Sequence, residues 1–152
     1  MPADPNPGAP PGYRQGLISQ VVALVKAGDR VLIGDLVALF GNYVKTWRQA
    51  DAMPGPTEFF DRWLGVLWDG ATTGAETQDT PCSVYVQGQM YYPFAAPAAG
   101  YSPVGTYVTA TDDRVVALDP TANLSTLIGK VCWPVQAGDA GAILEVRSKV
   151  MG

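Results

Sequence analysis

The side chains that most often do chemistry in proteins are thinly represented in this chain. It has 152 residues, no histidine and two cysteines. Without imidazole there is no Ser-His-Asp or Cys-His nucleophile system and no His-ligated zinc, and two thiols cannot make a four-cysteine metal site. Cys82 and Cys132 each lie in an apolar run, the setting of small, reduced, buried hydrophobes. A disulfide between them would need a geometry that sequence does not supply. Neither has a candidate base that would make it a nucleophile. That leaves the carboxylates. Asp29, Asp35, Asp51, Asp61, Asp69, Asp79, Asp112, Asp113, Asp119 and Asp139 are scattered, mostly beside Gly, Pro or Thr, where aspartate makes turns. A small hydrolase could use an Asp/Glu pair drawn from such residues, but no spacing selects one. Asp112-Asp113 could hold calcium; the ligand spacing of an EF-hand loop is missing, and a solvated hairpin tip accounts for the pair. No Gly-x-x-x-x-Gly-Lys-Ser/Thr loop and no G-x-G-x-x-G after a strand is present. The chain is expected to be no enzyme, with no catalytic residues, no metal and no cofactor.

The composition narrows the partners. Ten Lys+Arg against fourteen Asp+Glu give a net charge of −4, and charged residues make up only 16% of the chain. An acidic, charge-poor chain is a poor electrostatic partner for phosphate backbones, so no nucleic acid is expected. No run of 18 or so apolar residues could cross a membrane as a helix, and Met1-Pro2-Ala3-Asp4-Pro5 has no signal-peptide pattern. A chain of this length can bury a core without crosslinks.

The 17 glycines and 13 prolines divide the chain into elements. Residues 1–16 hold Pro2, Pro5, Pro7, Pro10 and Pro11 with Gly8, Gly12 and Gly16. Proline lacks a backbone donor, so this segment reads as an extended arm that orders on a partner, or as a disordered tail. Residues 17–152 read as a single β domain. Leu17 to Val25 fits a helix face, but its Val and Ile favour a strand. Short apolar runs then alternate with turns: Arg30–Ile33, Leu36–Phe40 and Tyr43–Trp47 around Gly34-Asp35 and Gly41-Asn42. Met53-Pro54-Gly55-Pro56 is a loop, and Phe59–Trp68 begins as a helical turn and becomes a strand. Ala71–Pro81 is a surface loop. Cys82–Gln87 alternates like a half-buried strand, and Gly88-Gln89 is read as turning it into Met90–Tyr92. Residues 93–103 form a Pro- and Ala-rich loop. Strands are expected at 106–109, 114–118, 127–135 and 142–150. The pattern predicts an all-β protein, a small barrel or sandwich, with no long amphipathic helix.

The halves echo one another. Gly34-Asp35-Leu36-Val37-Ala38, a tight turn and Tyr43-Val44 match Gly105-Thr106-Tyr107-Val108-Thr109, a turn and Val115-Val116. Trp63-Leu64-Gly65-Val66-Leu67 matches Leu127-Ile128-Gly129-Lys130-Val131, and Ser83–Val86 matches Ile143–Val146. Either any small β protein shows such punctuation, or two similar hairpin-rich units share one core. A glycine inside a strand implies a bulge or a close backbone approach, so Gly65 and Gly129 are expected to mark matched bends.

This succession resembles a known family. Val-Val-Ala-Leu-Val-Lys-Ala-Gly-Asp (21–29), Gly-Asp-Leu-Val-Ala-Leu (34–39), Trp-Leu-Gly-Val-Leu (63–67), Val-Tyr-Val-Gln-Gly (84–88), Pro-Val-Gly-Thr-Tyr-Val (103–108), Leu-Ile-Gly-Lys-Val (127–131) and Gly-Ala-Ile-Leu-Glu-Val-Arg (141–147) follow one another in that order. The order resembles the small β domains of tailed-bacteriophage capsid decoration (head cement) proteins and related head-fibre domains. The Pro-rich arm, the segment around Trp47–Phe60 and the aromatic loop Tyr91–Tyr101 depart from it. The resemblance implies a virion protein without an active site, assembled in the host cytoplasm with reduced cysteines. It would sit on the outer capsid surface, often as a homotrimer, and bridge the major capsid protein of neighbouring capsomers. Contact candidates are Pro5, Pro7, Pro10, Pro11 and Tyr13 in the arm, and Tyr91, Tyr92, Phe94 and Tyr101 in the body. The aromatics have a second reading as caps on the core, which Trp63 and Trp68 are expected to fill. The runner-up is a head fibre or spike domain that recognises a host surface glycan through a Trp/Tyr-lined groove.

Overall fold

The computed structural model describes residues 12–51 and 56–151, with the backbone alone for residues 12–18, 51 and 56. The expected Met53-Pro54-Gly55 loop and the candidates Pro5, Pro7, Pro10 and Pro11 lie outside the described residues. The protein is all-β. Its strands are β1 (Gly12–Val25), β2 (Arg30–Val31), β3 (Leu36–Phe40), β4 (Tyr43–Thr46), β5 (Trp63–Asp69), β6 (Thr72–Thr73), β7 (Thr80–Pro93), β8 (Tyr107–Ala110), β9 (Val116–Asp119), β10 (Gly129–Val131) and β11 (Gly141–Arg147). Two short helices, α1 (Trp47–Asp51) and α2 (Pro56–Asp61), separate β4 from β5.

Nine strands form one sheet in the order β1-β4-β3-β5-β7-β11-β10-β8-β9, and β1 also pairs with β7. The neighbours β1, β4, β3, β5 and β7 therefore close a ring. A short parallel contact, Leu24 opposite Tyr43, seals it between β1 and β4. Its inside is filled by aliphatic side chains, among them Val25, Val37, Val44, Leu64, Leu67 and Val84, together with Cys82. The other strands curl the same way: β7, β11, β10, β8 and β9 follow in order, and a parallel bridge from Phe94 to Val116 brings the end of β7 back to β9.

The internal echo is real and has a common hydrogen-bond pattern. In the first unit β4-β3-β5-β7 are neighbours; in the second, β9-β8-β10-β11 are. Val37 faces Gly65 across β3–β5, and Val108 faces Gly129 across β8–β10. Gly34 N–H donates to Leu67 O at 2.8 Å, and Gly105 N–H donates to Val131 O at 2.8 Å. Leu67 N–H returns a bond to Asp35 O, as Val131 N–H does to Thr106 O, both at 2.9 Å. Each unit is entered by the same turn. Asp35 N–H donates to Leu32 O and Thr106 N–H to Pro103 O, across Gly34 at φ 93° and Gly105 at φ 92°. A positive φ at the third turn position is what glycine supplies without steric cost.

Gly65 and Gly129 serve close backbone approach. A Cβ on Gly65 would lie 2.0 Å from Tyr85 O, and one on Gly129 would lie 2.4 Å from Glu145 O. The β3–β5 register also slips between Val37 and Ala38, so Gly65 sits beside a bulge, whereas no slip accompanies Gly129.

Several expectations need correction. β7 does not turn at Gly88-Gln89. It runs straight through because both edges stay paired there: Gly88 faces Val146, and Gln89 faces Glu145 on β11 and Gln15 on β1. β1 begins at Gly12, inside the expected arm, because Gly12 and Tyr13 pair with Tyr91 and Met90. Leu17–Val25 is strand, as its β-branched residues indicated. The strand expected over 127–135 shrinks to β10, since Pro134 has no N–H to donate and Val135 bridges instead to Ser102. The last strand ends at Arg147, after which the N–H groups of Lys149 and Val150 turn to Trp63 O. The Ala71–Pro81 loop contains β6, paired with β2. Trp47 opens α1 rather than ending β4: Thr46 Oγ1 accepts from Gln49 N–H while Gln49 Oε1 accepts from Thr46 N–H, a capping box.

The two strand glycines yield a prediction. Gly65→Ala and Gly129→Ala should each destabilise the protein by about 1–3 kcal/mol, because overpacking forces backbone to move. Gly100→Ala has nothing within 4 Å of its Cβ and should stay within roughly 0.5 kcal/mol of wild type. Denaturant unfolding followed by circular dichroism measures all three; equal effects would contradict the close-approach account.

Candidate functional site

A groove of about 450 Å³ opens where β7 ends. One wall is the loop from Phe94 to Ser102, and the other is Val116, Ala117 and Leu118 on β9 with Pro120 beyond them. The lining is apolar because the loop is rich in alanine and because Phe94 and Leu118 are only half-buried against the core. The loop is held at three points. Phe94 N–H donates to Ala140 O, Ala98 exchanges backbone bonds with Asp139 and Gly138, and Ser102 exchanges both bonds with Val135. The Gln136–Asp139 turn that receives Ala98 repeats the turn ahead of β3. Gln136 N–H donates to Asp139 Oδ2, as Leu32 N–H does to Asp35 Oδ2.

The predicted contact residues separate into two kinds. Tyr101 lies in the groove with 62% of its surface exposed, and Phe94 lines it beside Val116. Tyr91 is half-buried on β7 opposite Gly12 and Ile143. Tyr92 is fully buried, and its hydroxyl donates to Gly34 O at 2.6 Å. It belongs to the core and not, as expected, to a contact surface, because alternation along β7 points it inward, opposite to Tyr91. Tyr13 pairs through its backbone with Met90. Sequence reasoning missed Val104 and Trp133, which are 58% and 46% exposed. Both lie on loops that the Ser102–Val135 bridge joins. The signal for Val104 was present: it occupies the second position of a turn, as the exposed Ile33 does in the first unit. Trp63 is fully buried, its indole N–H donating to Arg147 O at 2.7 Å, and Trp68 stacks on Tyr85 with centroids 4.6 Å apart.

A second, charged cleft is lined by Arg30, Asp35, Arg48, Asp112, Asp113 and Arg114. It corrects the reading of Asp112-Asp113 as a solvated tip. The β8–β9 hairpin tip docks onto the first unit instead. Leu36 N–H donates to Asp113 O at 2.8 Å, Arg48 N–H to Asp113 Oδ1 at 2.9 Å, and the Arg48 guanidinium makes a bidentate pair with Asp112 at 2.6 and 2.7 Å. Arg114 Nε reaches Asp35 Oδ1 at 2.8 Å. The hydrogen bond and charge of Arg48 hold the Asp112 carboxyl below its usual range. Burial pushes Asp35 above its usual range, against the opposing pull of the Leu32 N–H and the Arg114 charge. Every carboxylate in this cleft has a structural partner, so the cleft joins the two units.

No group of three His, Cys, Asp or Glu among the described residues could hold a metal ion. Both cysteines are free, and burial pushes each thiol up to about 11, so neither carries appreciable thiolate at neutral pH. Among the described residues no helix is long and apolar enough to cross a membrane. No protein family, curated protein or solved structure matches the chain.

Two measurements test the assignments. Tyr92→Phe leaves Gly34 O without its buried donor and should cost about 1–3 kcal/mol, while Tyr101→Ala should change stability by less than roughly 0.5 kcal/mol. The reverse order in denaturant unfolding would exchange their roles. For Asp35, a carboxyl whose pKa rises on folding favours the folded state below its unfolded value, near 3.8. That contribution is lost as pH climbs through the higher folded value. The stability of wild type relative to Asp35→Asn should therefore fall as pH rises above 3.8; a rise over that window would show that the ion pair to Arg114 outweighs burial.

Proposed function

We propose that the chain is a structural protein of a tailed-phage head, bound to the outer capsid surface, where it bridges subunits of the major capsid protein. The observation that carries this reading is the ordered motif series that resembles decoration proteins. Its members are the turns and strands of a duplicated β unit: Gly34 and Gly105 at the turns, Gly65 and Gly129 at the close approaches. Two features support it. The charged cleft is consumed by inter-unit pairing and leaves no spare carboxylate there for catalysis. The exposed apolar side chains Tyr101, Val104 and Trp133 stand on loops of the second unit, and aromatic residues are favoured at the cores of protein interfaces. Many copies on one shell turn weak single contacts into firm attachment through effective concentration. A homotrimer at local three-fold positions is part of the proposal. The groove is lined mainly by alanines and aliphatic side chains. That lining favours protein contact over the glycan-binding alternative, which needs convergent polar groups.

Cryo-electron microscopy of the virion whose genome encodes this chain tests the proposal. Density for the two-unit body is expected on the outer face of the shell, and its absence there refutes the reading. The truncation that probes the arm ends at residue 11, because β1 pairing starts at Gly12. Removal of residues 1–11 should leave the far-ultraviolet circular dichroism unchanged and reduce the copies retained on heads at least severalfold. Full retention would assign the contact to the body alone.

A further inference from the structure

The groove at the end of β7 stands in a definite relation to the eleven residues that precede β1. β1 runs antiparallel to β7, with Gly12 opposite Tyr91. The N-terminal end of β1 therefore points along β7 towards Tyr92, Pro93 and Phe94. Strand pairing cannot continue that way. β11 holds one edge of β7 there, through Gly141 opposite Pro93 and Phe94 N–H donating to Ala140 O. Val116 of β9 takes the other edge through its bridge to Phe94. Pro10 and Pro11 also have no N–H to offer a ladder. The N-terminal end of β1 thus points to the junction of Phe94 and Val116, both of which line the groove.

Composition and size match as well. Residues 1–11 contain five prolines, Pro2, Pro5, Pro7, Pro10 and Pro11, and Asp4 is their single charged side chain. Among the described residues the groove lining holds no charged side chain and two aromatic rings, Phe94 and Tyr101. Proline-rich segments favour the polyproline II conformation, and aromatic-lined grooves recognise it at low entropic cost. At about 3.1 Å per residue, eleven residues reach roughly 34 Å. The three residues from Tyr91 to Phe94 span only about 10 Å of strand, so the reach is ample.

We propose that the Pro-rich segment 1–11 docks into the groove of its own chain, with its prolines against Phe94 and Tyr101. The direct exit from β1 favours the same chain over a second copy, because a tether of this length holds the segment at high effective concentration. The proposal concerns the isolated chain and does not depend on attachment to a shell. A cement role would use the docked segment as part of the contact surface.

Nuclear magnetic resonance of the full-length chain tests it. The expected result is a set of nuclear Overhauser contacts from Pro5, Pro7 or Pro10 ring protons to the Phe94 and Tyr101 rings, independent of protein concentration. Tyr101→Ala, at an exposed position, should abolish the Tyr101 contacts and shift the resonances of segment 1–11, while Val37 and Val84 in the first unit stay fixed. A Leu118→Ser variant probes the opposite wall and should shift the same segment resonances. An equal mixture of isotope-labelled and unlabelled chains separates the alternatives. Contacts seen only between labelled and unlabelled chains would overturn own-chain docking in favour of a second copy. Absence of contacts in the folded wild-type protein would overturn the proposal altogether.

Discussion

Every backbone N–H and C=O that β7 takes out of water has to find a partner, and β7 is fourteen residues long. One neighbour of ordinary length cannot satisfy such a strand. Its first half pairs with β5 and its second half with β11, while β1 follows it along the opposite edge. The two β units are thereby forced onto a common axis. β1 must be as long as β7 to cover that edge, and it slips register between Gln15 and Ser19 to stay with it. Where β1 leaves off, Val116 takes over the edge at Phe94. Ring closure, the joining of the halves and the position of the groove all follow from satisfying both edges of this one strand.

The units are alike in backbone and different in filling. Their shared turns and the close approaches at Gly65 and Gly129 set the same strand crossings twice. The first ring is packed with valine and leucine. The larger cluster gathers Phe59, Phe60, Trp63 and Tyr92 with the aliphatic residues of the second unit. The aromatic side chains of α2 are therefore a lid between the units. The β8–β9 tip docks on the first unit at Leu36 and Arg48. Its bidentate Arg48–Asp112 pair is partly exposed and is worth little in isolation. The backbone bonds around Asp113 fix its direction, so the tip binds chiefly by hydrogen-bond geometry.

This division bears on function. The charges of the Arg48–Asp112 cleft join the units, burial raises both thiols, and exposed apolar side chains of the second unit stand on its loops. What the surface of the second unit offers is exposed apolar area, which suits it to binding protein chains. The structural head protein proposed above is one role that uses such a surface without needing chemistry.

The sequence by itself determined the fold class, most strand positions, the duplicated order of turns and the importance of Gly65 and Gly129. These are local consequences of residue type: β-branched runs extend, glycine permits positive φ, and glycine alone admits a neighbouring carbonyl at van der Waals contact. It also marked residues 93–103 as an apolar loop. It went astray wherever a long-range partner overruled a local signal. Gly88-Gln89 carried turn residues, yet pairing on both edges kept the strand straight. Asp112-Asp113 looked like a solvated tip, yet Arg48 lay across the fold to receive it. Tyr91 and Tyr92 were indistinguishable as residue types, and the pleat of β7 turned one outward and buried the other against Gly34. Only the tertiary structure could decide such matters, because burial and hydrogen-bond partnership depend on which distant strand arrives alongside, and no single stretch of chain carries that information.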